Sequence, residues 1–499
     1  MELKYKDIAC CEMTGNLTTT HEETMETAIP EYCPDMARIV DTVGQLKIRE
    51  KNMTEGRLTV AGAVKVTVLY TSEESAGLRS LSMSVPFFAV MEDKRLQHGS
   101  TVCVDGRLLL CEARIVTNRK LYLRVLPELT AVCYACPTRS VCCQAQEEPS
   151  LRIRQEEAVL ELMTAAEERE FTFTQESMMS EGQEMPEDLL CDRISLAVTE
   201  CQHFGNKLVV KGEAALSILY RSEHQNLCTY EAVLPFSQIL DGIEAGEEAA
   251  FHVEARAMEG ETRLLRTDSG CGFGVVQKIA LWIFAYEKKP VSYVADLYST
   301  RYPCHVQQKT VQFAADRVCT PEHQEAVQRL EFGQSRPFAY LTDAACDQVD
   351  MAAGENGTQL HTRVRMRVLY LDETGAPMST ERSGEVSGVT GEAPDSVRAV
   401  CLPAAMQVNG GVCEMRLPVE FRMRKSVRSQ IVQVGSAELQ TDAVAEEMPS
   451  LVLRRMLPEE TLWDIAKQYR TDEAMIRSAN QLEENEPIPA RMLLIPKVR

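Results

Sequence analysis

Three stretches of this chain repeat one strand. They read LTVAGAVKVTVLY at 58–70, LVVKGEAALSILY at 208–220 and LHTRVRMRVLY at 360–370, so Tyr70, Tyr220 and Tyr370 stand 150 residues apart. In each, branched or leucine side chains recur at every second position, the period of a strand with one buried and one solvated face. Turn-forming residues follow each tyrosine, and a returning strand ends in Val85-Pro86-Phe87 in the first copy and Leu234-Pro235-Phe236 in the second. The third return, ERSGEVSGV at 381–389, lacks the Pro-Phe, which predicts an altered edge there.

The second halves also correspond. Alternating runs at 107–134, at 251–258 with 275–286, and at 411–424 with 430–439 give each copy at least two long hairpins. A chain of 499 residues exceeds what one core organises. The fold expected is therefore mainly β, with antiparallel β-rich repeats at 1–145, 146–290 and 291–440. Helical signal inside them is thin. The clearest stretch, LRIRQEEAVLELMTAAEERE at 151–170, alternates as well as it coils, so strand and helix both remain open.

The last 47 residues have a different period. After the acidic linker QTDAVAEEMPS at 440–450, an apolar strand, Leu453 to Leu457, is stopped by Pro458. Thr461 caps a helix with Leu462, Ile465, Ala466 and Tyr469 on one face. Thr471 or Asp472 starts a second helix with Met475, Ile476 and Ala479 inward, and Met492 to Ile495 returns as a strand. Strand, helix, helix, strand in so short a space leaves no room for a catalytic cleft.

This C-terminal segment resembles a LysM domain, through Thr461-Leu462, Trp463, Ile465-Ala466, Tyr469, Ile476, Asn480, Leu482, Ile488 and Leu494-Ile495-Pro496. The resemblance implies a groove between two loops that takes N-acetylglucosamine polymers. Glu459-Glu460 replaces the usual Gly-Asp, and Ala490 replaces a glycine. The loss of glycine freedom and an acidic rim weaken the glycan reading and make a protein partner a serious competitor. The candidate binding residues are Glu459, Glu460, Thr461, Leu462, Trp463, Asn480 and Ile488.

The repeats resemble the SPOCS domain of spore-coat-associated proteins. The features that carry this are IPEYCPDMARIV at 29–40, Gly62 and Gly212 at the strand centres, the Val-Leu-Tyr and Ile-Leu-Tyr ends, the Pro-Phe returns, and DLYSTRY at 296–302. With a C-terminal LysM, the arrangement is similar to the clostridial SipL type of coat morphogenetic protein, the functional counterpart of SpoVID. The resemblance implies a non-enzymatic scaffold at the forespore surface in the mother-cell cytoplasm. Its partners would be a SpoIVA-like coat morphogenetic ATPase and other coat proteins, with peptidoglycan binding as the alternative function.

Composition narrows the remaining classes. A net charge of −21 argues against a nucleic-acid surface, and RMRKSVR at 422–428 is only a short basic run. No apolar run approaches twenty residues, and the first twenty contain Lys and Asp where a secretion signal needs an apolar core. A cytosolic chain without a membrane span is expected. The 18 cysteines are scattered, as buried or free thiols in a reducing compartment would be. Cys133, Cys136, Cys142 and Cys143 form the tightest group, but they have no histidine nearby and are expected to hold no metal. The acidic groups around 21–26, 165–171 and 446–460 are expected to be solvated faces in turns, linkers and helix ends rather than paired catalytic carboxylates. DSGCGFG at 268–274 lacks the Lys-Ser/Thr of a phosphate loop and reads as a glycine-rich turn or bulge between strands. Neither cofactor nor catalysis is expected.

Overall fold

The computed structural model describes residues 1–499 apart from 74–76, 97–98, 147, 244, 247, 268–269, 332–337, 410, 442–449, 458–459, 483–491 and 498–499. Its described residues form 26 strands and two helices, both helices in the C-terminal module, so the fold is mainly β.

The three related stretches are the middle strands of three antiparallel meanders. Arg57–Thr71 lies between Arg38–Thr54 and Leu78–Glu92, and Lys207–Ser222 lies between Pro186–Phe204 and Leu227–Asp241. Gly357–Leu371 lies between Pro377–Thr390 on one side and two short strands, Ala339–Cys346 and Asp350–Gly354, on the other. Pro86 and Pro235 sit on the outer strands Leu78–Glu92 and Leu227–Asp241, where a missing N–H breaks no ladder.

Each meander buries its apolar face against a second sheet. Leu58, Val60, Val64, Val66 and Phe87 meet Val102, Leu121, Leu123 and Val125. Leu208, Val210, Leu216 and Phe236 meet Phe273, Val275, Ile279 and Leu281. Leu360, Val364, Met366 and Val368 meet Met415, Leu417, Val419 and Phe421. Each such side chain contributes about 1.5–3 kcal/mol when taken out of water, so burial holds the paired sheets as sandwiches.

Leu69, Leu219 and Leu369, 150 residues apart, meet in one buried cluster with Val43, Cys191 and Tyr340. The three meanders therefore approach one another at equivalent ends. Beyond the sandwiches, three strand pairs form a common trunk. They are Leu3–Ala9 with Thr138–Ala145, the outer half of Leu151–Met178 with Gly270–Ser299, and the outer half of Cys304–Val318 with Val412–Leu439. Ile8, Val141, Leu160, Leu162, Val291, Val311, Phe313 and Ile431 fill its centre. The trunk's hydrogen bonds also cross between pairs, with the Gln433 amide donating to Ser140 O and accepting from Cys142 N.

The ambiguous stretch 151–170 is strand. It lies in Leu151–Met178, paired antiparallel with Gly270–Ser299 along its length apart from two bulges, at Arg154/Gln155 and Met163/Ala165. A strand of that length is stable here because its partner continues unbroken through residue 290, so the boundary expected at 290 falls inside a strand. Of DSGCGFG, Asp268 and Ser269 lie outside the described residues. Gly270 takes φ +141° at the start of the returning strand, and Gly272 is needed because a Cβ there would stand 2.4 Å from Ser177 O.

The meander glycines have a different cause. Gly62 lies opposite Phe87 and Gly212 opposite Phe236. A Cβ on Gly62 would meet Phe87 Cζ at 2.5 Å and Lys47 O at 2.4 Å; on Gly212 it would meet Phe236 Cζ at 2.3 Å and Ala197 O at 2.5 Å. In the third meander the same pair is Thr362 opposite Val386. There the flanking strand is interrupted after Cys346, and Thr362 Oγ1 donates to Asp347 O at 3.1 Å. The missing Phe of the third copy is thus matched by a missing Gly: the smaller partner leaves room for a branched side chain.

Candidate partner-binding site

The C-terminal module joins strands Leu451–Arg455 and Met492–Pro496 to helices α1 (Leu462–Tyr469) and α2 (Glu473–Ala479). Thr461 is the N-cap of α1 in a capping box with Asp464, whose amide donates to Thr461 Oγ1 at 3.2 Å. Asp472 is the N-cap of α2, but its carboxylate turns instead to Arg152. Leu462, Ile465, Ala466, Ile476, Leu493 and Ile495 form the module's core. On α2, Ile476 is buried as expected, Met475 is half-buried, and Ala479 is exposed rather than inward.

That core also contains Tyr298, from the trunk strand Gly270–Ser299. The Tyr298 and Trp463 rings meet edge to face at 4.8 Å, and the Tyr298 hydroxyl donates to Thr471 O at 2.8 Å. Trp463 Nε1 donates to Asp296 Oδ2 at 2.7 Å, and Lys467 Nζ donates to both Asp296 oxygens at 2.6 and 2.7 Å. Arg152 Nη2 donates to Asp472 Oδ2 at 2.9 Å. Asp296 and Tyr298 are two apart on one strand and share a face, while Trp463 and Lys467 are four apart on one helix and do the same. The module is therefore seated on the end of the trunk. Arg152, Asp296, Lys467, Thr471 and Asp472 were not among the sequence candidates. The DLY of 296–298 was visible as a motif, but nothing in one dimension says what it touches.

Residues 35–116 and 187–259 match the family described as SipL, SPOCS domain, and residues 458–496 match the LysM domain. The chain carries two SPOCS segments and a C-terminal LysM domain, an arrangement similar to the SipL type. No curated protein and no solved structure matches it. The two SPOCS matches fall on the first and second meanders, and the third lies outside the matched residues. SPOCS and LysM are non-catalytic binding domains; together they mark a sporulation protein associated with the spore coat, and LysM is a peptidoglycan-binding type.

The structure places the LysM candidates unevenly. Leu462 is 3% exposed, so it packs in the LysM core and is not the groove residue expected. Trp463 is half-buried, with its ring against Tyr298 of the trunk. Asn480 is spent internally: its Nδ2 donates to Ile476 O and Leu494 O, and its Oδ1 accepts from Leu494 N, each at 2.7 Å. The Glu460 carboxylate accepts from Arg454 at 2.7 Å and from Leu457 N at 3.1 Å, tying down the loop before α1. Thr461 is exposed but serves as a cap. Glu459 and Ile488 lie outside the described residues, as does most of the second loop. Exposed described residues of the module include Ala474 and Ser478 on α2, Gln468 on α1, and Leu453 and Met492 on the strands.

The cysteine group does not converge. Cys136 is disulfide-bonded to Cys11, Cys133 lies in the first sandwich core, and Cys142 lies in the trunk. Cys143 is half-buried beside Lys4 O. Among the described residues no cluster of metal-ligating side chains forms. The acidic run 165–171 is not a turn or helix end but lies mid-strand, with the Glu168 carboxylate turned inward to Lys51.

Two cations of the basic run 422–428, Arg422 and Arg424, turn to buried carboxylates, while Arg428 is exposed. Arg424 donates to Glu254 Oε1 at 3.1 Å and to Asp316 Oδ2 at 3.0 Å, and lies over the Phe284 ring at 4.7 Å. Arg256 donates to Asp105 at 3.1 Å, reaches Glu254 as well, and stacks over Trp282 at 4.9 Å. Arg398 also reaches Asp105. Charges from all three sandwiches thus meet at one junction. Burial alone would raise the Glu254 carboxyl, but Arg256, His252 and Arg424 outweigh it and hold it well below the usual carboxylate range.

The seat predicts that Asp296→Lys releases the LysM. The substitution removes the acceptor of Trp463 and opposes Lys467, a loss of about 1–3 kcal/mol at a half-solvated site. Trp463 emission is expected to shift to the red, and the 440–450 linker to be cut faster by protease. Wild-type emission and cleavage in the variant would contradict the seat.

Proposed function

We propose that this protein is a non-enzymatic scaffold of spore coat assembly, working on the mother-cell side of the forespore surface. In this reading the three β sandwiches and their common trunk form the body that meets coat components. The LysM at 451–499 recognises a SpoIVA-like coat ATPase and helps to encase the forespore. The observation that carries the reading is the seat itself. A LysM clamped by Asp296, Tyr298 and Arg152 is presented in a fixed orientation by a large body, as suits assembly more than tethering through a loose linker. Fixed presentation lowers the ordering cost of binding a polymeric protein. The second reading, peptidoglycan binding, is favoured by the LysM match itself.

The test is capture by the full chain of the SpoIVA-like ATPase from the same cell and, separately, of purified peptidoglycan. Ala474→Arg with Ser478→Arg places two bulky charges on the open face of α2. The scaffold reading expects at least a tenfold loss of ATPase capture at unchanged Tm, and no dependence on added glycan. Retention on peptidoglycan with no ATPase capture would replace it with the second reading.

A further inference from the structure

Cys346 ends the strand Ala339–Cys346, and Cys401 ends Ser396–Cys401. The two strands belong to the facing sheets of the C-terminal sandwich. Their sulfurs are 3.3 Å apart although the residues are 55 apart in sequence. Both side chains are half-buried, and both are free thiols. Each is followed by a break in its strand, 347–349 and 402–404, where the backbone can give. Closing to bonding distance needs a movement of roughly 1 Å.

The slot does not require a thiol for packing. Cys346 pairs with Val364, as Leu46 pairs with Val64 and Leu196 with Ala214 in the other meanders. Leucine fills the position twice, and cysteine occurs where a second cysteine faces it. The two thiols are also unequal. A hydrogen bond from Cys401, against burial, holds the Cys346 thiol below its ordinary value, with Arg398 assisting, and the same bond with burial pushes Cys401 up.

We propose that Cys346 and Cys401 are a reversible dithiol site, which takes up a low-molecular-weight disulfide and resolves it into an internal bond joining the two sheets of the C-terminal sandwich. The Cys346 thiolate attacks one sulfur of the small disulfide, forming a mixed disulfide and expelling one thiolate. Cys401 then loses its proton to solvent and attacks Cys346 Sγ; the mixed disulfide breaks and the second small thiolate leaves. Two protein thiols are oxidised by two electrons, and one small disulfide is reduced to two thiols. The bond closes a long loop and holds together sheets that otherwise separate on unfolding.

The test uses the full chain, mildly reduced, incubated with oxidised glutathione, alkylated with iodoacetamide and mapped by mass spectrometry. The expected product is a peptide pair joined through Cys346 and Cys401, lighter by two hydrogens than the separate thiol peptides, with Tm raised by about 5 °C. Cys401→Ser is expected to trap Cys346 as its glutathione adduct, and Cys346→Ser to leave Cys401 unmodified. Full alkylation of both residues in the glutathione-treated wild type would overturn the proposal, as would a persistent Cys346 adduct without the cross-link. The wild-type map decides the matter even where a variant fails to fold.

Discussion

Glu254→Ala is expected to destabilise the body by about 3–5 kcal/mol, the cost of removing one member of a buried charge group. Glu254 is 8% exposed and stands within reach of Arg256, Arg422 and Arg424. Without it these guanidiniums face one another, with Asp105, Asp316 and Glu420 left to balance them. Because the junction draws on all three sandwiches, unfolding by urea is expected to lose cooperativity as well as midpoint. The pH dependence has a definite sign. A carboxyl held below its unfolded value of 4.5 stabilises the fold fully above that value, and the contribution is lost as pH falls through its lower folded value. Asp105, which burial opposes but Arg256 and Arg398 hold down, acts in the same direction. Wild-type stability should therefore drop steeply below about pH 4.5, and Glu254→Gln should flatten that limb. An alanine variant as stable as wild type at pH 7, or an unchanged acid limb in the glutamine variant, would show that the junction's charges are solvated.

The second large effect is expected at Gly212. A methyl group there meets both the Phe236 ring and the Ala197 carbonyl at less than 3 Å. Gly212→Ala should cost about 2–3 kcal/mol, at the upper end for overpacking. Phe236→Val alone should cost about 1–3 kcal/mol through its cavity. The double variant should be more stable than the sum of the two losses predicts, by about 1 kcal/mol, because the ring makes one of the two clashes. Recovery stays incomplete while the carbonyl remains. Only the third meander, whose flanking strand is interrupted, combines a branched Thr362 with the smaller Val386. Chemical denaturation of the four proteins measures the coupling, and strict additivity would refute the Gly–Phe interlock.

Much of the architecture was legible because its signals are local. Alternation marked the middle strands, and the 150-residue spacing of Tyr70, Tyr220 and Tyr370 placed them in equivalent positions. Thr461 and the apolar face of Leu462, Ile465 and Ala466 marked α1, capping box included. The stretch 151–170 was not legible, since its pattern suited both periods until the partner strand 280–299 decided it. The internal partners of Leu462, Trp463 and Asn480 were not legible for a related reason. A helix's apolar stripe says what is buried, but not that a tryptophan beside it will find a trunk tyrosine and aspartate to cover it.

By itself, then, the sequence determined the β class, the repeated meander, the C-terminal βααβ module and the kinship with SPOCS and LysM domains. All of these rest on hydrophobic period, turn chemistry and motif spacing, which act over a few residues at a time. Tertiary structure alone decided where the LysM sits, which charges meet at the sandwich junction, why a glycine faces a phenylalanine, and which of the eighteen cysteines meet, Cys11 with Cys136 and Cys346 with Cys401. Each of those is a contact between side chains from strands dozens to hundreds of residues apart. Its energy depends on distance and burial, and a linear pattern carries neither.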